Sequence, residues 1–203
     1  MKIGIIGGTF DPIHNGHLLL GDYAYQLYKL DEVWFMPNGN PPHKENSSIK
    51  VPTEKRVEMV KRAIRDIPYF SLQTHEVDRR EVSYSYQTME YLRTVYPEYE
   101  FYFIIGADSL FSIEDWMCPE RLLKTCTVLA AYRDKTSTSE MLNQIRYINQ
   151  KYKADVRLLD APNVDVSSSE IRQRIQNSEN VSHLLPERVK SYIETENLYR
   201  KSN

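Results

Sequence analysis

Two histidines near the start of the chain have the spacing and surroundings of a phosphate-binding site. His14 and His17 end the segment GGTFDPIHNGH, residues 7–17, which continues a short apolar run. A loop that only connects a strand to a helix needs no imidazoles. Imidazole N–H groups can donate hydrogen bonds to phosphate oxygens, and these bonds strengthen as negative charge builds up there during a reaction. We therefore expect both side chains to bind phosphate without forming a covalent bond.

Glycines in the same segment predict how the backbone reaches the ligand. Gly7 and Gly8 carry no side chain, so their backbone can approach a ligand closely. Gly16 stands in the first turn of a predicted helix, whose unpaired N–H groups and partial positive charge favour an anion. Around the first strand the glycines fall at 4, 7, 8 and 16, which matches neither a P-loop nor a Gly-x-Gly-x-x-Gly fingerprint. A P-loop ATPase and a dinucleotide-binding oxidoreductase with that fingerprint are therefore disfavoured.

Two other interpretations of the histidine pair are weaker. Histidines three residues apart can bind zinc, but no third ligand stands out in the sequence. A lone histidine is most often a turn or surface residue. A pair inside eleven patterned residues favours function instead.

Apolar runs alternate with helical patterns along nearly the whole chain. Short apolar or alternating runs predict strands, and apolar residues at helical spacing predict helices. The predicted strands are 2–7, 32–37, 70–78, 100–108, 126–133 and 156–162, and the predicted helices are 17–30, 54–66, 86–96, 119–125, 139–152, 167–176 and 187–199. Thr53 and Ser167 are the predicted caps of two of these helices.

This order of elements predicts an α/β fold with a doubly wound, mainly parallel sheet. We expect one domain spanning residues 1–203. A small C-terminal helical segment, about 166–203, is expected to pack as a lobe on the edge of the sheet. In such a sheet, ligands bind beyond the carboxyl ends of the strands, where the segment 7–17 lies.

The composition disfavours several classes of protein. The 203 residues carry a net charge of -2 and no basic stripe that would bind nucleic acid. No apolar run reaches the roughly 18 residues of a membrane helix, and the N-terminus lacks the cleavage site of a signal peptide. Cys118 and Cys126 fit neither a zinc knuckle nor a redox pair, so we expect buried free thiols. We expect a cytoplasmic protein without nucleic-acid or membrane partners, and leave a homo-oligomer open.

Five segments together resemble one enzyme family. HNGH at 14–17 is similar to the Thr/His-x-Gly-His motif of the nucleotidylyltransferase superfamily. The segments that resemble motifs of bacterial nicotinate mononucleotide adenylyltransferases are PNGNPPHK (37–44), VSYSYQT (82–88), FIIGADS (103–109) with Trp116 downstream, and VSSSEIR (166–172). The resemblance spans essentially the whole chain and implies a Rossmann-like nucleotidylyltransferase fold.

The resemblance implies a reaction and its substrates. Adenylyl transfer from ATP to nicotinate mononucleotide would give nicotinate adenine dinucleotide and pyrophosphate, a step of NAD biosynthesis. The phosphate oxygen of the mononucleotide would attack the α-phosphorus in line, with no covalent enzyme intermediate. Such chemistry depends on positioning and charge stabilisation. Mg²⁺ is implied as the companion of the triphosphate, without a dedicated metal site on the protein.

The site residues implied by the resemblance are assigned by matching each motif. The implied catalytic residues are His14, His17, Lys44 and Arg172. The implied ATP-binding residues are Gly7, Gly8, Thr9, Phe10, His14, His17, Gly106, Asp108, Arg133, Ser168, Ser169 and Arg172. The implied nicotinate mononucleotide-binding residues are Gly8, Thr9, Lys44, Ser85 and Trp116. Trp116 is the expected stacking platform for the pyridine ring. Each position also has a structural alternative. Asp108 and the segment 168–172 would only cap helices, Lys44 would be a solvated loop residue, and Trp116 would be a core residue.

The chain departs from the family pattern at three positions. Ser85 and Ser169 stand where Thr is usual, and both keep the hydroxyl. Gln87 stands where many relatives carry Asp, which leaves the local charge open. Other adenylyl or cytidylyl transferases, for instance one acting on phosphopantetheine, and a non-catalytic nucleotide sensor are the rival interpretations. A class I aminoacyl-tRNA synthetase is disfavoured by the short chain.

Overall fold

A computed structural model of the chain describes residues 1–39, 49–79, 82–132, 137–162 and 166–200. Strands alternate with helices through most of these residues. The strands are β1 (Lys2–Gly8), β2 (Glu32–Pro37), β3 (Phe70–Leu72), β4 (Glu100–Gly106), β5 (Thr127–Ala131) and β6 (Val156–Leu159). The helices are α1 (Asn15–Tyr28), α2 (Thr53–Ile64), α3 (His75–Asp78), α4 (Ser85–Val95), α5 (Ala107–Phe111), α6 (Pro119–Thr125), α7 (Thr138–Tyr152), α8 (Ser168–Gln176) and α9 (Glu187–Thr195). A 3-10 turn spans Ile113–Asp115.

The strands form one sheet in the order β3-β2-β1-β4-β5-β6. Each pair of neighbours in this order is parallel. From β1 the chain builds outward first through β2 and β3, and then on the other side through β4 to β6. The strand order therefore reverses between β1 and β4, which is where such sheets bind their ligands. The predicted doubly wound α/β fold is confirmed.

Successive residues of the central strands point into two different cores. Ile3 and Ile5 of β1 belong to the core covered by α4, α5, α6 and α7. Ile6 belongs to the opposite core, which contains apolar residues of α1, α2, α8 and α9. Because both faces are covered, the central strands β1 and β4 are apolar after their first residue and do not alternate with polar residues.

The strand predicted over 70–78 is wrong in its second half. Only Phe70–Leu72 pairs with β2, and α3 follows. In the register of this pairing, Thr74 would lie opposite Pro37. A proline has no N–H to continue the ladder, so the alternating polar pattern ends in a helix instead.

One predicted helix cap is wrong and the other is confirmed. Pro52 occupies the cap position of α2, and Thr53 is its first helical residue. The hydroxyl of Ser167 accepts a hydrogen bond from the backbone N–H of Glu170 at 3.1 Å, as predicted for α8. Both cysteines are free but only half-buried.

The C-terminal helical segment lies in the same layer as α1 and α2. Val166, Ile171, Val189 and Tyr199 join the core on that face of the sheet, and α9 packs against α2. None of the helices in the described ranges is long and apolar enough to cross a membrane.

Candidate active site

A cavity of about 460 Å³ opens at the carboxyl ends of the central strands. Parallel strands bring these ends to one edge of the sheet, so residues far apart in sequence line the same space. Predicted site residues that line it are Gly7, Gly8, Thr9, His14, His17, Ser85, Gly106, Asp108 and Trp116. The cavity therefore joins most of the predicted ATP-binding and acceptor-binding residues that the structure describes.

The two imidazoles lie on top of one another at the start of α1. Their ring centres are 3.7 Å apart, with 28° between the ring planes. The backbone N–H of His14 donates to Nδ1 of His17 at 3.2 Å. Nδ1 of His17 is therefore an acceptor, and a neutral ring carries its proton on Nε2. His17 lines the cavity, and Nε2–H is the donor that its neutral ring carries.

The buried ring of Phe10 anchors the loop between β1 and α1 on the side away from the cavity. The ring of Phe10 is buried and meets the His17 ring edge-on, with centroids 5.0 Å apart. Phe10 adopts a φ of 50°, in the left-handed region that bulky residues rarely occupy. Phe10 does not line the cavity, so its contact with ATP stays a prediction.

Gly16 owes its lack of a side chain to close packing within the protein. A Cβ there would come within 2.9 Å of Val166 Cγ1. The first turn of α1 therefore lies directly against the C-terminal segment.

Gly106 differs from Gly16. A Cβ at Gly106 would meet no atom within 4 Å, so this glycine leaves open space beside the cavity.

Two side chains of α8 donate hydrogen bonds to the backbone of the loop between β1 and α1. The hydroxyl of Ser168 donates to the carbonyl oxygen of Pro12 at 2.8 Å, and Nη1 of Arg172 donates to that of Asp11 at 2.7 Å. The exposed Ser169 side chain lies 3.1 Å from the hydroxyl of Ser167. Phosphate binding by these residues stays a prediction. Lys44 and Arg133, the other two predicted cations, lie outside the described residues.

Sequence reasoning missed Arg56, which is fully buried. Its Nη1 donates to the carbonyl oxygen of Thr9 at 2.7 Å, and Nη2 donates to that of Asn38 at 2.9 Å. Burial lowers the pKa of Arg56, and the neighbouring Asp11 carboxylate partly opposes this shift. The guanidinium joins the ends of β1 and β2 at the cavity. Nothing in the helical pattern distinguishes Arg56 from a solvated arginine, because its partners come from other elements.

Hydroxyl groups and the half-buried Glu76 carboxylate cluster at the start of α4. Thr88 Oγ1 donates to Oε1 of Glu76 at 2.7 Å, and burial raises the pKa of Glu76. Within the described part of the chain, the Ser83 hydroxyl is buried without a hydrogen-bond partner. Ser83, Ser85 and Trp116 line the cavity here, and Trp116 rests edge-on against Phe103. This part of the cavity offers an aromatic face with polar groups.

The cavity contains few groups that could bind a metal. In the ranges that the structure covers, no three His, Cys, Asp or Glu side chains come together as ligands. The carboxylates that line the cavity are Asp108, in the first turn of α5, and Glu76, which is engaged by Thr88.

Comparisons with known proteins agree with this geometry. The cytidylyltransferase-like family model matches residues 5–174. A Lachnoclostridium phytofermentans protein described as a "probable nicotinate-nucleotide adenylyltransferase" is 42% identical over 192 residues, covering 95% of this chain and 96% of that protein. A Carboxydothermus hydrogenoformans protein with the same description is 41% identical and covers 98% of both chains.

Solved structures share the fold. The Plasmodium falciparum nicotinic acid mononucleotide adenylyltransferase complexed with NaAD aligns with a TM-score of 0.80 at 22% identity, covering 98% of this chain and 97% of that one. The same protein complexed with APC gives a TM-score of 0.79. At such identity the likeness shows the fold alone, and the relatives near 40% identity settle the family. The chain belongs to the nicotinate-nucleotide adenylyltransferase family.

Proposed function

We propose that this protein transfers the adenylyl group of ATP to nicotinate mononucleotide, giving nicotinate adenine dinucleotide and pyrophosphate in NAD biosynthesis. One observation carries the proposal: a single cavity contains both the stacked histidine pair and the polar, aromatic site around Trp116. Its volume lies in the range of about 300–1,000 Å³ that is usual for small-molecule sites. Two nucleotides could therefore meet in it phosphate to phosphate.

The histidines would act on the triphosphate. Negative charge grows on the phosphate oxygens as the acceptor phosphate attacks the α-phosphorus and pyrophosphate departs. The Nε2–H of His17 and the positive end of α1 would stabilise that charge. No side chain has to form a bond to phosphorus, so the protein contributes position and electrostatics. Lys44, Arg133 and Arg172 are proposed to add positive charge to the phosphates.

The acceptor's ring would lie against Trp116. Nicotinate differs from nicotinamide by a carboxylate, which needs hydrogen-bond donors. The buried Ser83 hydroxyl, the Ser85 hydroxyl and the positive end of α4 supply a polar, partly positive surface there. The serine that replaces the usual threonine at position 85 keeps its hydroxyl, so we propose that the acid is the preferred acceptor.

The triphosphate is proposed to enter as its Mg²⁺ complex. Adenylyl transfer from ATP generally needs a divalent cation. Mg²⁺ prefers oxygen ligands, keeps several waters and binds proteins through one or two carboxylates plus substrate phosphates. Asp108 is exposed at the cavity and fits that description. The cation would neutralise charge on the triphosphate, while the imidazoles hold its oxygens.

The location of the enzyme in the cell is also a proposal. Cys118 and Cys126 are free thiols, which suits a reducing compartment such as the cytoplasm. Assembly into a homo-oligomer stays a prediction.

A comparison of acceptors tests the proposed function. Purified protein receives ATP and Mg²⁺ with nicotinate mononucleotide, nicotinamide mononucleotide or phosphopantetheine, and pyrophosphate release is measured. We expect the fastest release with nicotinate mononucleotide. Preference for the amide would overturn the acceptor assignment and keep the reaction class. Release with none of the three acceptors would favour a nucleotide sensor.

A further inference from the structure

A buried carboxylate behind the histidine loop connects distant parts of the chain. Asp11 is 3% exposed and does not line the cavity. Its Oδ1 accepts a hydrogen bond from the hydroxyl of Tyr199 at 2.7 Å, and its Oδ2 accepts one from the backbone N–H of Lys50 at 2.8 Å. Both oxygens are therefore used inside the protein, away from the cavity.

Tyr199 reaches this carboxylate from the other end of the chain. It follows α9, lies 188 residues from Asp11 in sequence, and is 8% exposed. A tyrosine hydroxyl is protonated near neutral pH and can donate. Burial, and then the charge of Asp11, raise the pKa of Tyr199 further. Because α9 packs against α2, the ring of Tyr199 is held in place on the core side as well.

The hydrogen bond lies next to the residues that carry the histidines. Asp11 comes three positions before His14, and the residue on its other side, Phe10, packs against the ring of His17. The carbonyl oxygen of Asp11 accepts from Arg172 at 2.7 Å. A shift of the Asp11 backbone would therefore move the loop before His14 and the Phe10 ring that packs against His17.

We propose that Tyr199 is a positioning residue, which acts through Asp11 to hold the loop that sets His14 and His17 at the cavity. The expected effect on catalysis rests on the proposed function, in which the two imidazoles bind the phosphates of ATP. The turn after α9 thereby completes a site that is built around β1.

An NMR comparison tests the positioning without substrate. Tyr199→Phe removes the hydroxyl and keeps the ring. Tyr69→Phe is the matched control, because Tyr69 also donates to an aspartate, Asp22, at 2.6 Å, and neither lines the cavity. The chain has only 5 histidines, so their imidazole carbon–proton signals can be assigned singly. We expect the His14 and His17 signals to shift in Tyr199→Phe and to stay in place in Tyr69→Phe. Unchanged signals in both variants would overturn the proposal.

Kinetics separate positioning from stability. We expect kcat for pyrophosphate release to fall roughly tenfold or more in Tyr199→Phe, while KM for ATP changes less than about threefold. Tyr69→Phe should match the wild type. Assays are run well below the melting temperature of each variant. A lower Tm with an unchanged kcat would mean that the hydroxyl only stabilises the fold, which contradicts the proposal.

A second variant covers the case in which Tyr199→Phe does not fold. Asp11→Asn keeps the size of the side chain but weakens the acceptor for the Tyr199 hydroxyl, so the same NMR and kinetic outcomes apply. If the wild type transfers no adenylyl group to any acceptor, the proposed function fails. The imidazole signals still decide whether Tyr199 positions the loop.

Discussion

His14 and His17 sit side by side, but the protein holds them differently. His14 is 6% exposed and occupies the cap position of α1, whereas His17 is half-buried with its Nδ1 bound by the His14 backbone. Each ring supports the other through the stack. His17 is the less buried of the two, so its removal should disturb the fold less than removal of His14.

Replacing His17 by alanine should lower kcat by roughly 10²–10³-fold, which is the usual loss when one donor to developing charge is removed. The fold should survive, because the side chain is only half-buried. Pyrophosphate release and circular dichroism are the measurements. His183→Ala is the control, since His183 is exposed and contributes its backbone carbonyl to Asn15. Wild-type turnover in His17→Ala would show that the phosphate role is wrong.

The protonation of Glu76 should make the stability of the protein depend on pH. Burial raises its pKa, although the Thr88 hydrogen bond and Arg79 oppose the shift. A raised pKa in the folded state means that Glu76 favours folding fully below its unfolded pKa. That contribution is lost as the pH rises through the folded pKa.

Glu76→Gln should therefore gain stability relative to the wild type as the pH rises from about 4 to about 7, because the glutamine stays neutral and still accepts from Thr88. Urea unfolding at several pH values measures this difference. Glu98→Gln, at an exposed position between α4 and β4, is the control. A stability difference between Glu76→Gln and wild type that does not vary with pH would contradict the argument.

At the scale of elements, the short helix α8 depends on its cap and its packing. Nine residues are too few for a helix to be stable alone in water, so its N-terminal hydrogen bonds and its buried Ile171 matter. Ser167 supplies the cap, and the next turn supplies the bonds from Ser168 and Arg172 to the histidine loop. Loss of order in α8 would therefore loosen that loop.

Ser167→Ala should lower the free energy of unfolding by about 1 kcal/mol, the typical cost of losing a helix cap. Ser169→Ala should cost less than about 0.5 kcal/mol, because Ser169 is exposed and, among the described residues, its hydroxyl contacts the Ser167 hydroxyl and caps no backbone N–H. Chemical denaturation of the two variants measures both values. Equal losses at the two positions would show that the cap hydrogen bond is not the cause.

At the scale of the molecule, one sheet separates two cores, and the chain's last helices complete one of them. Val189, Ile193 and Tyr199 pack in the same cluster as Ile6 and Phe35 of the sheet. Trp34 belongs to the other cluster, and Trp116 packs against it. Both cores pack on the same strands. Loss of packing on one face of the sheet should therefore unfold the core on the other face.

We therefore predict that the whole chain unfolds in one cooperative transition, as expected for one domain. Tryptophan fluorescence reports the core around Trp34, while far-UV circular dichroism reports all helices, including α8 and α9. The two curves should coincide in urea. An earlier transition seen only by circular dichroism would show that the C-terminal segment folds separately.

Local patterns were sufficient for much of this structure. The apolar runs predicted all six strands found among the described residues, and the length of the alternating run over 70–78 was the main error. The spacing of His14 and His17 after the first strand predicted a functional histidine pair, and both side chains line the cavity. Such features depend on residues close in sequence, whose geometry the backbone period sets directly.

Contacts between distant residues could not be predicted in this way. Arg56 reads as one more helix-surface arginine, and Tyr199 as the end of a terminal helix, yet both support the residues around His14. Their partners are decided by how the crossovers bring β1, α2 and the C-terminal segment together. The sequence alone thus determined which polar side chains lie at the edge of the sheet. Only the tertiary structure decided which buried groups hold these side chains in place, because the partners of those groups are distant in the sequence.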